Sequence, residues 1–427
     1  MEIYSILNTI WGVLKNLWWV ILPIILLRPF LFLWLWWRQE RWWAEQKMIL
    51  LEIRIPKEVL KPLKAMEQVF SGFWGNLYDP PYWWEKWIDG KTLYSYSFEI
   101  ISLGGETHFF VKIPEQSRNG VESTIYSQYP DAEISVADDY TKHVPQDIPN
   151  KEWDLWGTDY KLLKEDVYPI ETYSRFFEER PEAKEEKRID PLSSLLEGLG
   201  KLGPGEQLWM QIIASPITNE ENNYVDRGRE IVDRLIKRPE KAKPKPIMGE
   251  VAKGLIFGKA EEERKEERML WPEMMLSPGE REIVSGIENK IGKYAFTSTI
   301  RFIYLGKRDR FFKAQCRTVF GFFSQFSTTN LNGMKPWPRT ITKIHKYWFL
   351  PLNLIRPRRV YVRKRRLFRN YVKRLPSLFP LSGGTFVLNN EELATIFHLP
   401  GRMVAPAPFV PRVEAKKGEA PPGLPTE

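Results

Sequence analysis

Twenty-one consecutive residues near the start of the chain, Leu17–Trp37 (LWWVILPIILLRPFLFLWLWW), contain one charge, Arg28. As a helix this run rises about 30 Å, the thickness of a bilayer's hydrocarbon core. Eight of the chain's 18 tryptophans, Trp11, Trp18, Trp19, Trp34, Trp36, Trp37, Trp42 and Trp43, fall in the first 43 residues and bracket the run. Indole rings favour the boundary between lipid and water. The run therefore reads as a transmembrane anchor with Trp18, Trp19, Trp34, Trp36 and Trp37 at its ends. Arg28, inside it, would snorkel or meet a partner. Pro23 and Pro29 should bend the helix.

Three other readings compete. A cleaved signal peptide needs a basic start and small residues at the cut site. The start MEIYSILNTIW has Glu2, no base before Lys15, and bulky aromatics where small residues should be. A helix lying in the membrane plane is an alternative, because Arg28-Pro29 interrupts the run and Lys15 precedes it. A buried core helix would have to pack many adjacent indoles. Orientation follows from nearby bases: Arg38, Arg41, Lys47, Arg54 and Lys57 come after the run and only Lys15 before it. That pattern predicts a single-pass protein of the cell membrane with its C-terminal bulk in the cytoplasm. The lone Cys316 allows no disulfide within the chain, as in a reducing compartment.

Residues 48–138 give the clearest pattern. MILLEIRIP alternates, with Leu51, Ile53 and Ile55 on one face, as a strand does. Leu63, Met66, Val69, Phe70, Phe73, Trp74 and Leu77 follow helical spacing, and an aromatic loop, YDPPYWWEKW, comes next. Ser95–Leu103 and Glu106–Ile113 are two strands joined at Gly104-Gly105, a pair suited to a tight hairpin turn. Val121, Ile125 and Tyr129 mark a second helix, and Ala132–Ala137 a further strand. The order βαββαβ predicts a ferredoxin-like unit.

A second set follows. Ile170–Phe177 is a candidate strand, and Asp190-Pro191 an N-cap with proline at the first helical position. Leu192, Leu195, Leu196 and Leu199 form a stripe that ends at Gly203-Pro204. Gln207–Ala214 is a strand and Val225–Ile236 an amphipathic helix. Residues 239–276, with KAKPKP and EEERKEER, read as a solvated insertion. Ser277-Pro278-Gly279-Glu280 is a capping box opening a helix through Ile283, Val284, Ile287 and Ile291. Phe296–Leu305 is a strand, and Phe312, Cys316, Val319 and Phe323 mark a last helix. The expected class is α+β: a transmembrane helix, a ferredoxin-like βαββαβ unit, and a second α+β unit resembling a diverged internal duplication. The expected divisions are 1–47 for the anchor, 48–145 and 146–335 for the two units, 336–404 for a basic segment and 405–427 for a Pro-rich tail.

Known chemistries find few candidates. A P-loop needs G-x-x-x-x-G-K-[ST]. Gly286…Gly292-Lys293-Tyr294 has the wrong glycine spacing and Tyr where Ser or Thr must hold magnesium; GLIFGKA at Gly254–Ala260 also fails. His108, His143, His345 and His398 are scattered and no pair has zinc-ligand spacing. No G-x-S-x-G is present. No enzyme, metal or cofactor is expected.

The basic segment is more suggestive. From Arg310 to Asn390 there is no Asp or Glu, and Arg356–Arg374 (RPRRVYVRKRRLFRNYVKR) holds ten bases in 19 residues. These are Arg356, Arg358, Arg359, Arg363, Lys364, Arg365, Arg366, Arg369, Lys373 and Arg374. With no acid near in sequence, they are expected to meet an anionic surface. That surface could be lipid headgroups or an acidic partner, or nucleic acid with Tyr361, Phe368 and Tyr371 stacking on bases. Plain solvation of a charged face is the bland alternative.

LLEIRIPKE, AMEQVF, SFEIISLGGETHFFVKIP, VESTIYSQYPDAEI, DPLSSLLEGLGKLGPGEQLWMQIIASP and VLNNEELATIFHLPG together resemble the N-terminal region of conjugative, type IV secretion-like ATPases of candidate-phylum bacteria. These belong to the coupling-protein group, with an FtsK/HerA-type motor that handles DNA. The resemblance implies a membrane anchor and an accessory α+β region. The motor's Walker motifs have no counterpart among these residues, so its ATPase activity does not carry over; the P-loop ATPase motor could be a separate polypeptide partner, or the gene could be split. The implied role is a membrane-tethered, non-catalytic scaffold of a DNA-transfer machine, with a homo-oligomer permitted. The rivals are a stand-alone membrane-attached nucleic-acid-binding protein and an unrecognised membrane-associated enzyme.

Overall fold

The computed structural model describes residues 2–54, 62–175, 190–236, 276–346, 348, 350–378 and 383–400. Ile55, Lys57, Phe177, the stretch 237–275 that holds nearly all of the expected insertion, and the expected tail lie outside them. Helix α1 (Glu2–Glu45) runs through Pro23 and Pro29 and ends three residues before the first strand. At 1.5 Å per residue it is roughly 66 Å long. Every residue from Leu22 to Phe30 is exposed, so the helix shows no covered face there. Ile24, Ile25, Leu26, Leu27 and Phe30 each leave more than half of their surface open. Among the described residues no helix is long and apolar enough to cross a membrane. The side chains of Leu17, Trp18 and Ile21, which belong to the apolar run, lie outside that set.

The body is built on one sheet of nine strands: β1 (Met48–Arg54), β2 (Tyr96–Leu103), β3 (Glu106–Pro114), β4 (Glu133–Ala137), β5 (Trp153–Leu162), β6 (Glu206–Ile217), β7 (Ala295–Lys307), β8 (Met334–Pro336) and β9 (Phe386–Asn389). Their order is β4-β1-β3-β2-β6-β7-β5-β8, with β9 also on β7, and every pairing is antiparallel. β6 runs along the whole of β7 on one side. On the other side β9 takes Ala295–Ser298 and β5 takes Arg301–Lys307. Outward from the β2–β6 seam, each half shows its own second, third, first and fourth strand in turn.

The helices fall in matching places. α2 (Leu63–Leu77) joins β1 to β2 and α4 (Ser193–Gly200) precedes β6 after β5. α3 (Arg118–Gln128) joins β3 to β4 and α7 (Arg317–Ser324) precedes β8 after β7. Two further helices, α5 (Tyr224–Leu235) and α6 (Pro278–Ile291), stand between β6 and β7, and the capping box of Ser277 and Glu280 opens α6. α8 (Leu350–Val372) and α9 (Asn390–Ile396) complete the described helices.

Strand periodicity sorts the side chains onto two faces. Tyr96, Phe98, Ile100, Phe109, Val111, Leu208, Met210, Ile212, Ile300 and Phe302 meet helices α2, α3, α4, α7 and α9 in the main core. Ile101, Phe110, Leu155, Trp209, Ile303 and Leu305 point the other way. They are covered by Tyr140, Val144 and Ile148 and by Leu367, Phe368 and Tyr371 of α8 and its end. The central strands are covered on both faces, which is why QLWMQIIA carries almost no polar residues.

Two local expectations are corrected. Ile170–Phe177 is not a strand across its described residues. The backbone amide of Ile170 donates to Glu392 Oε1 (2.9 Å) and that of Tyr173 to Thr395 Oγ1 (3.0 Å), so side chains of α9 take up donors that a ladder would need. The first strand of the second set is β5, WDLWGTDYKL, whose Asp154, Asp159 and Lys161 hide its apolar alternation. Gly157 sits where an added Cβ would come 2.3 Å from the Phe302 carbonyl, so the close strand approach excludes a side chain. Asp190 is not the N-cap of α4 either, since that helix starts at Ser193. Asp190 Oδ1 instead accepts from the Leu192 amide and lies 2.8 Å from Nε2 of buried His398.

Phe70 lies at the centre of the main core, against Phe73, Phe98 and Phe296. Phe70→Ala should destabilise the protein by about 3–5 kcal/mol. A denaturation midpoint unchanged from the parent would show that α2 is peripheral.

Candidate functional site on the arginine helix

α8 lies over the second face of the sheet. Leu367, Phe368 and Tyr371 recur at helical spacing, and the last two rings meet Trp209 at 6.4 and 5.3 Å between centroids. Fixing that stripe inward turns the remaining positions outward. The ten bases of Arg356–Arg374 therefore divide into three groups.

Two are structural. Arg374 adopts a left-handed backbone (φ 53°) as the chain leaves α8. Its guanidinium reaches Glu99 (3.0 and 3.2 Å) and Asp139 (2.6 and 3.1 Å). Lys364 pairs with Asp154. The expectation that these bases find no acid is thus corrected for Lys364 and Arg374. The acids come from positions 99, 139 and 154, far outside the acid-free window.

Three more are bound to carbonyls. Arg356 donates to Ile344 O (2.8 Å), Arg363 to Pro338 O and Ile341 O (3.2 and 3.0 Å), and Arg365 to Gln146 O (3.2 Å). These contacts pin the helix. Arg358, Arg359, Arg366, Arg369 and Lys373 are exposed. Arg358, Arg359, Arg363 and Arg366, joined by Arg339 from the preceding turn, surround a cavity of about 420 Å³. Ser377 lies in its wall, buried, with a hydroxyl that has no hydrogen-bond partner. Planar guanidiniums grouped in this way suit a phosphate, sulfate or carboxylate. Neither Arg339 nor Ser377 is marked by spacing; only the acid-free window hinted at the arginine.

Beneath the helix a polar row crosses four strands in register. Glu99 of β2 faces Gln211 of β6, Gln211 faces Arg301 of β7, and Arg301 faces Asp159 of β5. All four are buried. Glu99 accepts from Ser97, Tyr140, Gln211 and Arg374. Gln211 also donates to Tyr371 O (3.2 Å), and Arg301 Nη2 to Leu375 O, which ties the row to the end of α8. Arg301 Nε lies 3.1 Å from Asp159 Oδ1 without the alignment of a hydrogen bond. Burial alone would raise the Glu99 carboxyl, but the Arg374 guanidinium, together with the hydroxyls of Ser97 and Tyr140, holds it below the ordinary value. Asp139 behaves likewise: burial opposes ionisation, and the bonds from Arg374 pull its carboxyl well down. Burial depresses Lys112, with Arg374 close by adding to the effect.

The anchor residues are less confined. Trp19, Arg28, Trp34 and Trp37 are exposed and Trp36 is half-buried, while the side chain of Trp18 lies outside the described set. Residues once weighed for other chemistry are engaged in packing. Lys293 bridges Glu67 and Glu391 at 2.7 Å each, and Tyr294 stacks on Trp74 at 4.6 Å. His108 Nδ1 is 2.7 Å from Glu52 Oε1. Burial pushes the Cys316 thiol up. Among the described residues no group of three or more His, Cys, Asp or Glu could hold a metal ion.

Fold and site together define a mixed α+β protein with a long apolar helix at one end and an arginine-bearing helix laid across its sheet. The chain belongs to the family described as a domain of unknown function (DUF8128), whose model matches residues 84–406. No curated protein matches it.

Arg374→Met would leave buried Glu99 without a cation and Asp139 with Lys112 alone, and should cost about 3–5 kcal/mol. Arg366→Gln, on the open face, should leave the denaturation midpoint unchanged. Equal losses for the two would overturn the division between structural and exposed bases.

The same network sets a pH dependence. Carboxyls held below their unfolded values add stability above those values and lose it as pH falls. Stability should therefore hold from neutral pH down to about 5 and drop below about pH 4, where unfolded carboxylates take up protons. Arg374→Met should flatten that drop, as followed by urea melts across the range.

Proposed function

We propose that this protein is a membrane-tethered, non-catalytic scaffold, an accessory subunit of a type IV secretion- or conjugation-like DNA-transfer machine acting beside a separate P-loop motor ATPase. The observation that carries the membrane half is α1. Leu22–Phe30 is apolar but for Arg28 and is exposed at every position. A helix hydrophobic on all sides needs either a protein interior or lipid around it, and the body does not cover it from Leu22 to Phe30. With the whole run Leu17–Trp37 counted, the length suits a single crossing, and the bases after it favour a cytoplasmic body.

The scaffold half rests on the sheet and on α8. The order β4-β1-β3-β2 with α2 and α3 supports reading residues 48–137 as a ferredoxin-like unit. The mirrored order β8-β5-β7-β6 with α4 and α7 supports a diverged copy. The exposed arginines of α8 offer a cationic docking face for acidic partners or lipid headgroups, with nucleic acid as the competing occupant.

Alkaline carbonate should leave the full-length protein in the membrane pellet, and a reporter active only in the cytoplasm should work at its C-terminus. Release into the supernatant, or a reporter active only outside, would defeat the tether. Mild detergent extraction should bring a P-loop ATPase along, and Arg358→Gln with Arg359→Gln and Arg366→Gln should reduce its recovery. Unchanged recovery with lost DNA binding would favour the nucleic-acid reading.

A further inference from the structure

The aromatic loop after α2 is built against α1. Residues Glu85–Asp89 make a single π-helical turn that ends at Gly90 in a left-handed conformation (φ 76°). An added Cβ at Gly90 would come 2.3 Å from the backbone carbon of Arg38, so only glycine lets the loop touch the helix so closely. Trp34 Nε1 donates to Trp87 O at 3.0 Å. Lys91 braces the loop from below through Asp79 (3.0 Å) and Glu85 (3.3 Å). The Tyr82 amide donates to Glu85 Oε2 at 2.9 Å.

This braced loop directs its large side chains away from the body. Tyr82 is 71% exposed, Trp83 76%, Trp84 51% and Ile88 60%. Beside them on α1, Trp34 and Trp37 are 40% and 50% exposed. The aromatic patch is continuous with the open apolar surface of α1. From Trp19 to Trp37 the helix rises about 27 Å, close to the thickness of the hydrocarbon core. The loop thus meets α1 at the level where the apolar run gives way to Arg38 and Arg41. Amphipathic rings beside bases at that level match the chemistry of a lipid headgroup layer.

We propose that Tyr82–Ile88 is a second membrane-contacting element, seated in the headgroup layer of a phospholipid bilayer where α1 emerges, so that helix and loop together hold the body at a set height and tilt. The proposal rests on the membrane reading of α1. One contact point would leave the body free to pivot on its helix; two rigidly joined contacts do not.

The full chain can be tested in proteoliposomes of phosphatidylethanolamine and phosphatidylglycerol. Cys316 is buried, so a Cys316→Ser background takes a single fluorophore at Trp83→Cys, at Ile25→Cys in mid-helix, or at Lys201→Cys on the body. Lipids carrying a nitroxide at a shallow or a deep acyl position report depth. The label at position 83 should be quenched about twofold more by the shallow than by the deep nitroxide, as expected of a group in the interfacial belt. The label at 25 should favour the deep one, and that at 201 neither. Quenching at 25 with none at 83 would overturn the proposal while keeping the anchor. No quenching at either would overturn both. Protection of position 83 from aqueous iodide without quenching by either nitroxide would assign the patch to a protein partner and also overturn it. Gly90→Val should lift the loop from α1, with quenching lost at 83 and retained at 25.

Discussion

A buried row of polar side chains, Glu99–Gln211–Arg301–Asp159, runs across β2, β6, β7 and β5 and holds the two halves of the sheet in one register. A slip of one residue at any of these pairings would turn a charge from the second face into the aromatic core under α2 and α4. The row is costly in isolation, since each ion leaves water. It persists because Arg374 balances Glu99, Arg301 stands beside Asp159, and Gln211 bridges the seam. Ser97 and Tyr140 complete Glu99, while Gln211 and Arg301 donate to carbonyls at the end of α8. The row therefore orders the sheet and seats the arginine helix at the same time.

That seating decides which bases are available. Local sequence shows ten cations and no acid, a pattern that predicts a uniformly open surface. Folding brings Glu99, Asp139 and Asp154 to Arg374 and Lys364, and backbone carbonyls to Arg356, Arg363 and Arg365. What is left is a narrower face, centred on the cavity between α8 and Arg339. Charge counted along a chain overstates charge displayed by a fold whenever distant strands supply the counter-ions.

Much of the architecture was legible where one face of an element repeats cleanly: β1 from Leu51 and Ile53, α2 from Met66, Val69, Phe70 and Phe73, the hairpin at Gly104-Gly105, and α6 from its capping box. β5 was not, because Asp154, Gly157 and Asp159 serve cross-strand partners rather than the apolar alternation by which a strand is recognised. Ile170–Thr172 misled for the opposite reason. Its residues look like a strand, yet the Ile170 amide and that of the following Tyr173 are taken by Glu392 and Thr395, more than two hundred positions away. At the site, the arginines of α8 were visible in the sequence, whereas Ser377 and the polar row were not. Glu99 did carry one signal, a lone acid at an inward position of an apolar strand.

The two halves of the sheet differ most in how their inner strands are joined. β2 passes to β3 through Gly104-Gly105, while β6 passes to β7 through residues 218–294, including α5 and α6. The two connections leave opposite ends of the sheet, since Leu103 pairs with Gln207 and Tyr96 with Ala214, and neither disturbs the ladder beside it. Closing a longer loop adds little entropic cost once the strands already hold each other. The β6–β7 connection is therefore a natural place for added length, and an affinity handle or a fluorescent domain grafted into it would leave the strand pairing of the sheet unchanged.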